Sequence, residues 1–162
     1  MKAYSEACDR NQEPILRVLR GVLGDACDVL EIGSGTGQHA AYFAPRLPHL
    51  RWRPSDLPEH HPSICAWTDG MPNVPEPLVL DVEERPWPVA GVDAVFTANT
   101  LHIVSWPGVC ALFEGAAQSL APGGVLCVYG PMNYGGCYTS PSNAQFDRWL
   151  KQIDNGAEND PP

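Results

Sequence analysis

The sequence predicts an α/β fold: one domain on a mostly parallel sheet, with helices on both faces. Three observations lead there. Strand-like and helix-like patterns alternate along the chain, which is the signature of parallel strands joined by crossover helices. A glycine-rich loop, EIGSGTG at residues 31–37, joins the first short apolar strand directly to a helix. The length of 162 residues allows one domain of ordinary size. A domain this long buries roughly 70% of the surface its unfolded chain exposes, so a core forms without covalent staples.

The elements follow in order. Residues 11–23 read as an amphipathic helix, with Ile15, Leu16, Val18, Leu19, Val22 and Leu23 on one face and Gly24 as a stop. Residues 28–32 are a short buried strand. The glycine loop comes next, then a helix over 38–47 ended by Pro48. Residues 50–55 read as a second strand, with Pro54 near its end, where a missing N–H is tolerated. A weak helix covers 62–67, and loops follow at Asp69-Gly70 and Pro72-Asn73. Third, fourth and fifth strands fall at 78–80, 92–97 and 125–129. A helix over 108–120 stands before the last of these, closed by the turn residues 121–124. The final residues, 152–162, are polar, acidic and Pro-ended, and read as a loose tail.

Composition narrows the function classes. Apolar residues make up 44% and charged residues 18%, a globular balance and not a fibrous or disordered one. No apolar run approaches the ~20 residues of a membrane span, and the first residues contain no apolar core of a secretory signal. Six cysteines are scattered without a C-x-x-C pair. They read as free thiols, so an intracellular, cytoplasmic location is expected. Ten Lys and Arg stand against nineteen Asp and Glu, a formal charge of −9. The one basic cluster, Arg46, His49, Arg51 and Arg53, is too small to make nucleic acid an expected partner. His60-His61 has no Cys or carboxylate at ligand spacing, so no metal is expected.

The chemistry starts at the glycine loop. Gly33, Gly35 and Gly37 permit positive φ and close approach of backbone to a ligand; glycines also serve turns for geometry alone. A dinucleotide fingerprint wants its third glycine where Gln38 stands, which sets back an NAD-dependent oxidoreductase. The pattern of apolar residues and an acid followed by G-x-G-x-G resembles motif I of class I S-adenosylmethionine-dependent methyltransferases. There Glu31 would attract the ligand's ammonium while the loop, Ser34 included, makes room. Asp56 lies 21 residues after Gly35, the spacing at which an acid reaches ribose hydroxyls, or it is a turn or helix cap. Asp81 and Val82 follow the third strand, where the resembling enzymes hold the adenine amino group; a solvated loop acid is the alternative. Asn99 and His102 follow the fourth strand, on the edge where open α/β sheets bind ligands.

A more specific resemblance spans residues 5–150. It is carried by Ser5, Ala7, Arg10, Asn11, Pro14 and Ile15, by VLEIGSGTGQHA at 29–40, and by Trp52, Pro54, Ser55 and Asp56. It continues through Leu80-Asp81-Val82, Pro86-Trp87-Pro88, Asn99, His102 and Ile103, Tyr129-Gly130-Pro131, and Ser142, Asn143, Ala144, Phe146 and Asp147. Together these motifs resemble the methyltransferase-like 26 family. The resemblance implies a Rossmann-like class I methyltransferase fold and S-adenosylmethionine as cofactor, bound by a domain at residues 1–151. It also implies methyl transfer to an unidentified small-molecule or protein acceptor; the alternative is a non-catalytic adenosyl-binding or interaction module. Such a sheet has seven strands and five are placed by Tyr129, so the final two strands are expected to be missing.

Methyl transfer from a sulfonium needs alignment of nucleophile and methyl carbon and, at most, one proton acceptor. His102 is the candidate base, because histidine titrates near neutrality; a histidine satisfied by backbone is the alternative. Tyr129, Asn133, Tyr134 and Asn143 are candidates for the acceptor pocket, or are a strand aromatic and turn residues. Arg10 and Asn11 can reach over the cofactor, or Asn11 caps the first helix. His39 is expected in the core or on the surface of the second helix. The sequence leaves the oligomeric state open.

Overall fold

A computed structural model describes residues 2–98 and 105–130, with the backbone of two short strands at Asn133–Tyr134 and Cys137–Tyr138. Helix α1 spans Glu6–Val22. It starts five residues before the helix that apolar periodicity marks. Ser5 is the N-cap and accepts from the Cys8 amide at 3.4 Å, and Glu6 and Asp9 in the first turn suit the positive helix end. Asn11 is therefore no cap. It is buried, and its side chain meets His39. Ile15, Leu16 and Leu19 form the buried stripe.

Strands β1 (Asp28–Ile32), β2 (Arg51–Arg53), β5 (Val92–Ala98) and β6 (Leu120–Tyr129) make one sheet in the order β2-β1-β5-β6, every neighbour pair parallel. The expected second strand is split in two. Pro54 has no N–H to continue the ladder, so β2 ends at Arg53 and β3 (Ser55–Asp56) pairs with β4 (Leu78–Val79) instead. The Pro54 carbonyl accepts from Leu78 N and the Ser55 carbonyl from Ser34 N, both at 2.9 Å, so the parallel order carries on past the break. The chain thus builds outward from β1 on one side, then crosses to lay β5 on the other. That reversal opens a crevice at the C-terminal ends of β1 and β5.

Helix α2 (Gln38–Arg46) starts from Gly37, α3 (His61–Thr68) follows a 3-10 turn at Pro58–His60, and α4 (Trp106–Ser119) is capped by Ser105. Strand β6 begins at Leu120, earlier than its apolar run, because residues 121–124 form an irregularity inside it: Val92 pairs with Leu120 and Ala94 with Val125.

The central strands β1 and β5 are buried on both faces, whereas β6 at the edge is only partly covered. Val29 and Phe96 join Leu16, Leu19, Phe43 and Trp52 under α1 and α2. Leu30, Ile32 and Val95 join Leu112 and Ala116 of α4 on the other side. Neighbours along β1 and β5 go to opposite faces, as the pleat requires. The Phe43 ring stands 5.4 Å from Trp52 and 5.7 Å from Phe96, a tight aromatic cluster directly beneath the glycine loop's helix. No helix among the described residues is long and apolar enough to cross a membrane.

Candidate functional site

The glycine loop sits at the C-terminal end of β1, with Gly33, Gly35 and Gly37 at φ of 67°, 57° and 95°. Gly37 is required twice over. Its backbone is left-handed, and a Cβ there would lie 2.7 Å from the Ile64 Cα of α3. The loop's amides turn inward: Ser34 N donates to Ser55 O at 2.9 Å, Gly35 N to the Asp56 carboxylate at 2.7 Å, and Gly37 N to Ser34 O at 3.0 Å.

Glu31 is buried behind the loop, 2% exposed. Its Oε1 accepts from the Ser34 hydroxyl at 2.8 Å and the Trp52 indole at 3.2 Å, and no described residue donates to Oε2. Burial pushes its carboxyl up to about 7; the Ser34 and Trp52 hydrogen bonds oppose that, and the nearby Asp56 charge adds to it. The Ser34 hydroxyl also accepts from Ser55 N at 3.0 Å, and the Ser55 hydroxyl donates to the Glu31 carbonyl. Asp56 completes the cluster. Its second oxygen accepts from Leu57 N at 2.7 Å, and His60 stands 3.9 Å away. Asp56 thus sits at the loop's mouth and does not cap the 3-10 turn, whose N-cap is Leu57.

Asp81 follows β4 and accepts from Glu83 N at 3.0 Å in a tight turn. Val82 packs its side chain against the second core cluster and gives its carbonyl to Arg85 at 2.7 Å. Tyr129 ends β6 opposite Ala98 and is 40% exposed. Arg10 is not brought to the loop: it pairs with Glu6 at 3.7 Å on the exposed face of α1. Asn99, His102 and Asn143 lie outside the described residues. Asn133 and Tyr134 form a strand paired with Cys137–Tyr138, their side chains likewise outside the description. Tyr129 aside, the geometry therefore gathers Glu31, Ser34, Asp56 and the glycines into one cluster, with Asp81 two residues beyond the partner of Asp56.

Sequence reasoning missed Trp52 and Ser55 as braces of the loop and Gln38 as more than an interruption. Only their place in the W-x-P-S-D and G-x-G-x-G-Q runs could have flagged them. His39 is core: it stacks on Phe43 at 5.2 Å, bonds Asn11 at 2.7 Å, and burial lowers its pKa to about 4. The basic cluster lies at the opposite end of the strands, where Arg53 pairs with Asp28 at 3.3 Å and His49 meets the Leu23 carbonyl.

Residues 2–157 match the model of a family described as "Protein of unknown function (DUF938)". The chain belongs to this family. This DUF938 member is 31% identical over 114 residues to a trans-aconitate 2-methyltransferase of Azoarcus sp. strain BH72, a match covering 69% of the chain and 42% of that relative. Its structure resembles an O-methyltransferase family protein from Burkholderia thailandensis, at a TM-score of 0.79 and 22% identity over 96% of this chain and 48% of the other. It also resembles human N-acetylserotonin methyltransferase in complex with S-adenosylmethionine, at 0.76 and 17% over 93% and 42%. The DUF938 chain thus has the Rossmann-like class I methyltransferase fold, and it spans less than half the length of each of these three proteins.

Proposed function

We propose that this DUF938 chain binds S-adenosylmethionine at the C-terminal edge of its sheet and serves methyl transfer to a small-molecule or protein acceptor. The observation that carries this reading is the hydrogen bond from Gly35 N to Asp56. It fixes an acid beside the loop and withdraws a loop amide from any anion. With Ser34 and Gly37 amides also committed internally, the loop is poorly suited to cradle a pyrophosphate, which needs free N–H groups. Acceptors dominate instead: Glu31 and Asp56 stand at the ends of β1 and β3, and Asp81 just beyond β4. Such a set suits a ligand rich in donors, with ribose hydroxyls, an ammonium and an adenine amino group. The buried Oε2 of Glu31, to which no described residue donates, fits a cationic ligand as well.

When bound, S-adenosylmethionine would supply an activated methyl group for in-line transfer to the acceptor's nucleophile, with S-adenosylhomocysteine as the other product. The chain's residues hold the donor and take a proton. Asp56 accepts from ribose while keeping Gly35 in place, and Glu31 offsets the positive end through the loop. Gly33, Val82 and Asn99 complete the proposed cofactor contacts, with His102 as base and Tyr129, Asn133 and Asn143 at the acceptor. By sequence, the cofactor domain is assigned to residues 1–151, with 152–162 beyond it. The motifs at 29–40 and 52–56 support a kinship with the methyltransferase-like 26 family, and the five described cysteines, all free thiols, suit a cytoplasmic protein.

Thermal unfolding with saturating S-adenosylhomocysteine tests the reading, because a ligand bound by the folded state alone raises the midpoint by mass action. A raised midpoint with S-adenosylhomocysteine and none with NAD is expected. The reverse pattern overturns it.

A further inference from the structure

Residues 2–5 form a strap laid over the outer side of the glycine loop. Gln38, 4% exposed, pairs with Ser5 in both directions: its Oε1 accepts from Ser5 N, and its Nε2 donates to Ser5 O at 3.2 Å. Ser63 of α3 ties the same two segments independently. Its hydroxyl accepts from Ala3 N at 2.8 Å and donates to the Thr36 carbonyl, in the middle of the loop, at 2.7 Å. The Trp67 indole donates to Ala3 O at 2.6 Å, and the Lys2 ammonium stands 4.0 Å from the Trp67 ring centroid. Ser5 is also the cap of α1. Strap, loop and the start of α1 are therefore one hydrogen-bonded unit.

We propose that Gln38 is a positioning residue: through Ser5 it clamps the strap onto the glycine loop, and strap closure and adenosyl-ligand binding form one linked equilibrium. This rests on the reading of the loop as an S-adenosylmethionine site. The loop is held on its inner side by Asp56 and on its outer side by Gln38 and Ser63. A ligand that needs the held loop binds more weakly when the strap is open, and by reciprocity the bound ligand keeps the strap closed. A glycine at position 38, as a dinucleotide fingerprint wants, could not make the pair. The side chain that breaks that fingerprint is the one that fastens the strap.

The test compares the full chain with Gln38→Met, which keeps length and loses both hydrogen bonds, and with Gln38→Glu, which keeps the acceptor and regains a donor only when protonated. S-adenosylhomocysteine affinity is measured by calorimetry, and exchange of the Ala3 and Ser5 amides by hydrogen exchange with and without that ligand. In the unaltered chain the ligand is expected to slow exchange of both amides. Gln38→Met speeds their exchange and weakens binding by about tenfold, within the usual range of coupling between linked sites. Gln38→Glu falls between Gln38→Met and the unaltered chain at about pH 8 and recovers toward the unaltered chain, compared at equal pH, as its carboxyl protonates toward about pH 4. A merely structural role would give no such recovery. Equal affinity in all three proteins, or strap exchange indifferent to ligand, overturns the proposal while leaving the ligand assignment standing. An unaltered chain that binds no S-adenosylhomocysteine overturns both.

Discussion

The Gly35 amide donates a 2.7 Å hydrogen bond to the Asp56 carboxylate, across 21 residues of sequence. This contact joins the loop after β1 to the end of β3 and sets the mouth of the candidate site. Replacing Asp56 with Ala removes a charge-assisted acceptor, whose loss costs roughly 1.5–3 kcal/mol, or about 10- to 150-fold in affinity. Equilibrium dialysis with S-adenosylmethionine is expected to show that loss. Unchanged affinity takes Asp56 out of the site.

Gly37→Ala is expected to destabilise the fold. Position 37 has φ of 95°, and the added Cβ would meet the Ile64 backbone at 2.7 Å. Gly70 shares a positive φ of 76° but has nothing within 4 Å. Both substitutions carry the left-handed penalty of about 1–2 kcal/mol, and only Gly37→Ala adds the clash with α3. Urea unfolding should rank Gly37→Ala well below Gly70→Ala; equal midpoints would show that α3 does not press on the loop.

The sequence carried the fold because period and punctuation were local. Apolar runs at 28–32 and 92–97 and the glycines after Ile32 name their elements without tertiary help. The start of α1 was missed because Ser5, Glu6 and Asp9 signal a helix end by capping, while the apolar stripe begins only at Ile15. The break at Pro54 was read as a tolerated strand end, since nothing local says that β3 will turn to β4. In the candidate site, Glu31 was legible from the motif I resemblance and Asp56 from its spacing to Gly35. Trp52, Ser55 and Ser63 were not, because a side chain that bonds a residue 21 to 27 positions away leaves no periodic trace.

Glu31 and His39 put opposite slopes on stability against pH. Glu31 titrates at about 7 when folded against 4.5 unfolded. Between those values the native state holds a proton the unfolded state has released, so stability falls as pH rises through the window. His39 titrates at about 4 when folded against 6.5 unfolded. There the unfolded state holds the extra proton, so stability falls as pH drops through that window. Each contribution is about 3 kcal/mol over its full window, and the two oppose each other where the windows overlap. Chemical unfolding at several pH values should show Glu31→Gln gaining a rise in stability with pH and His39→Gln a fall. Three parallel profiles would contradict both assignments.

Gly115→Ala should also destabilise, on the other face of the sheet. A Cβ there would overlap the buried Trp87 ring of the second core cluster, and overpacking costs about 1–3 kcal/mol. Gly21, late in α1, has nothing within 4 Å, so Gly21→Ala gains helix propensity of up to about 1 kcal/mol. Opposite shifts of the unfolding midpoint are expected; a neutral Gly115→Ala would mean Trp87 moves freely.

Calorimetric titration of the unaltered chain with S-adenosylmethionine, and in parallel with NAD, tests the central claim most directly. Saturable one-site binding of S-adenosylmethionine, with no heat from NAD, is the predicted result. Binding of NAD without S-adenosylmethionine, or of neither, would contradict the assignment of the loop, Glu31 and Asp56 to an adenosyl ligand.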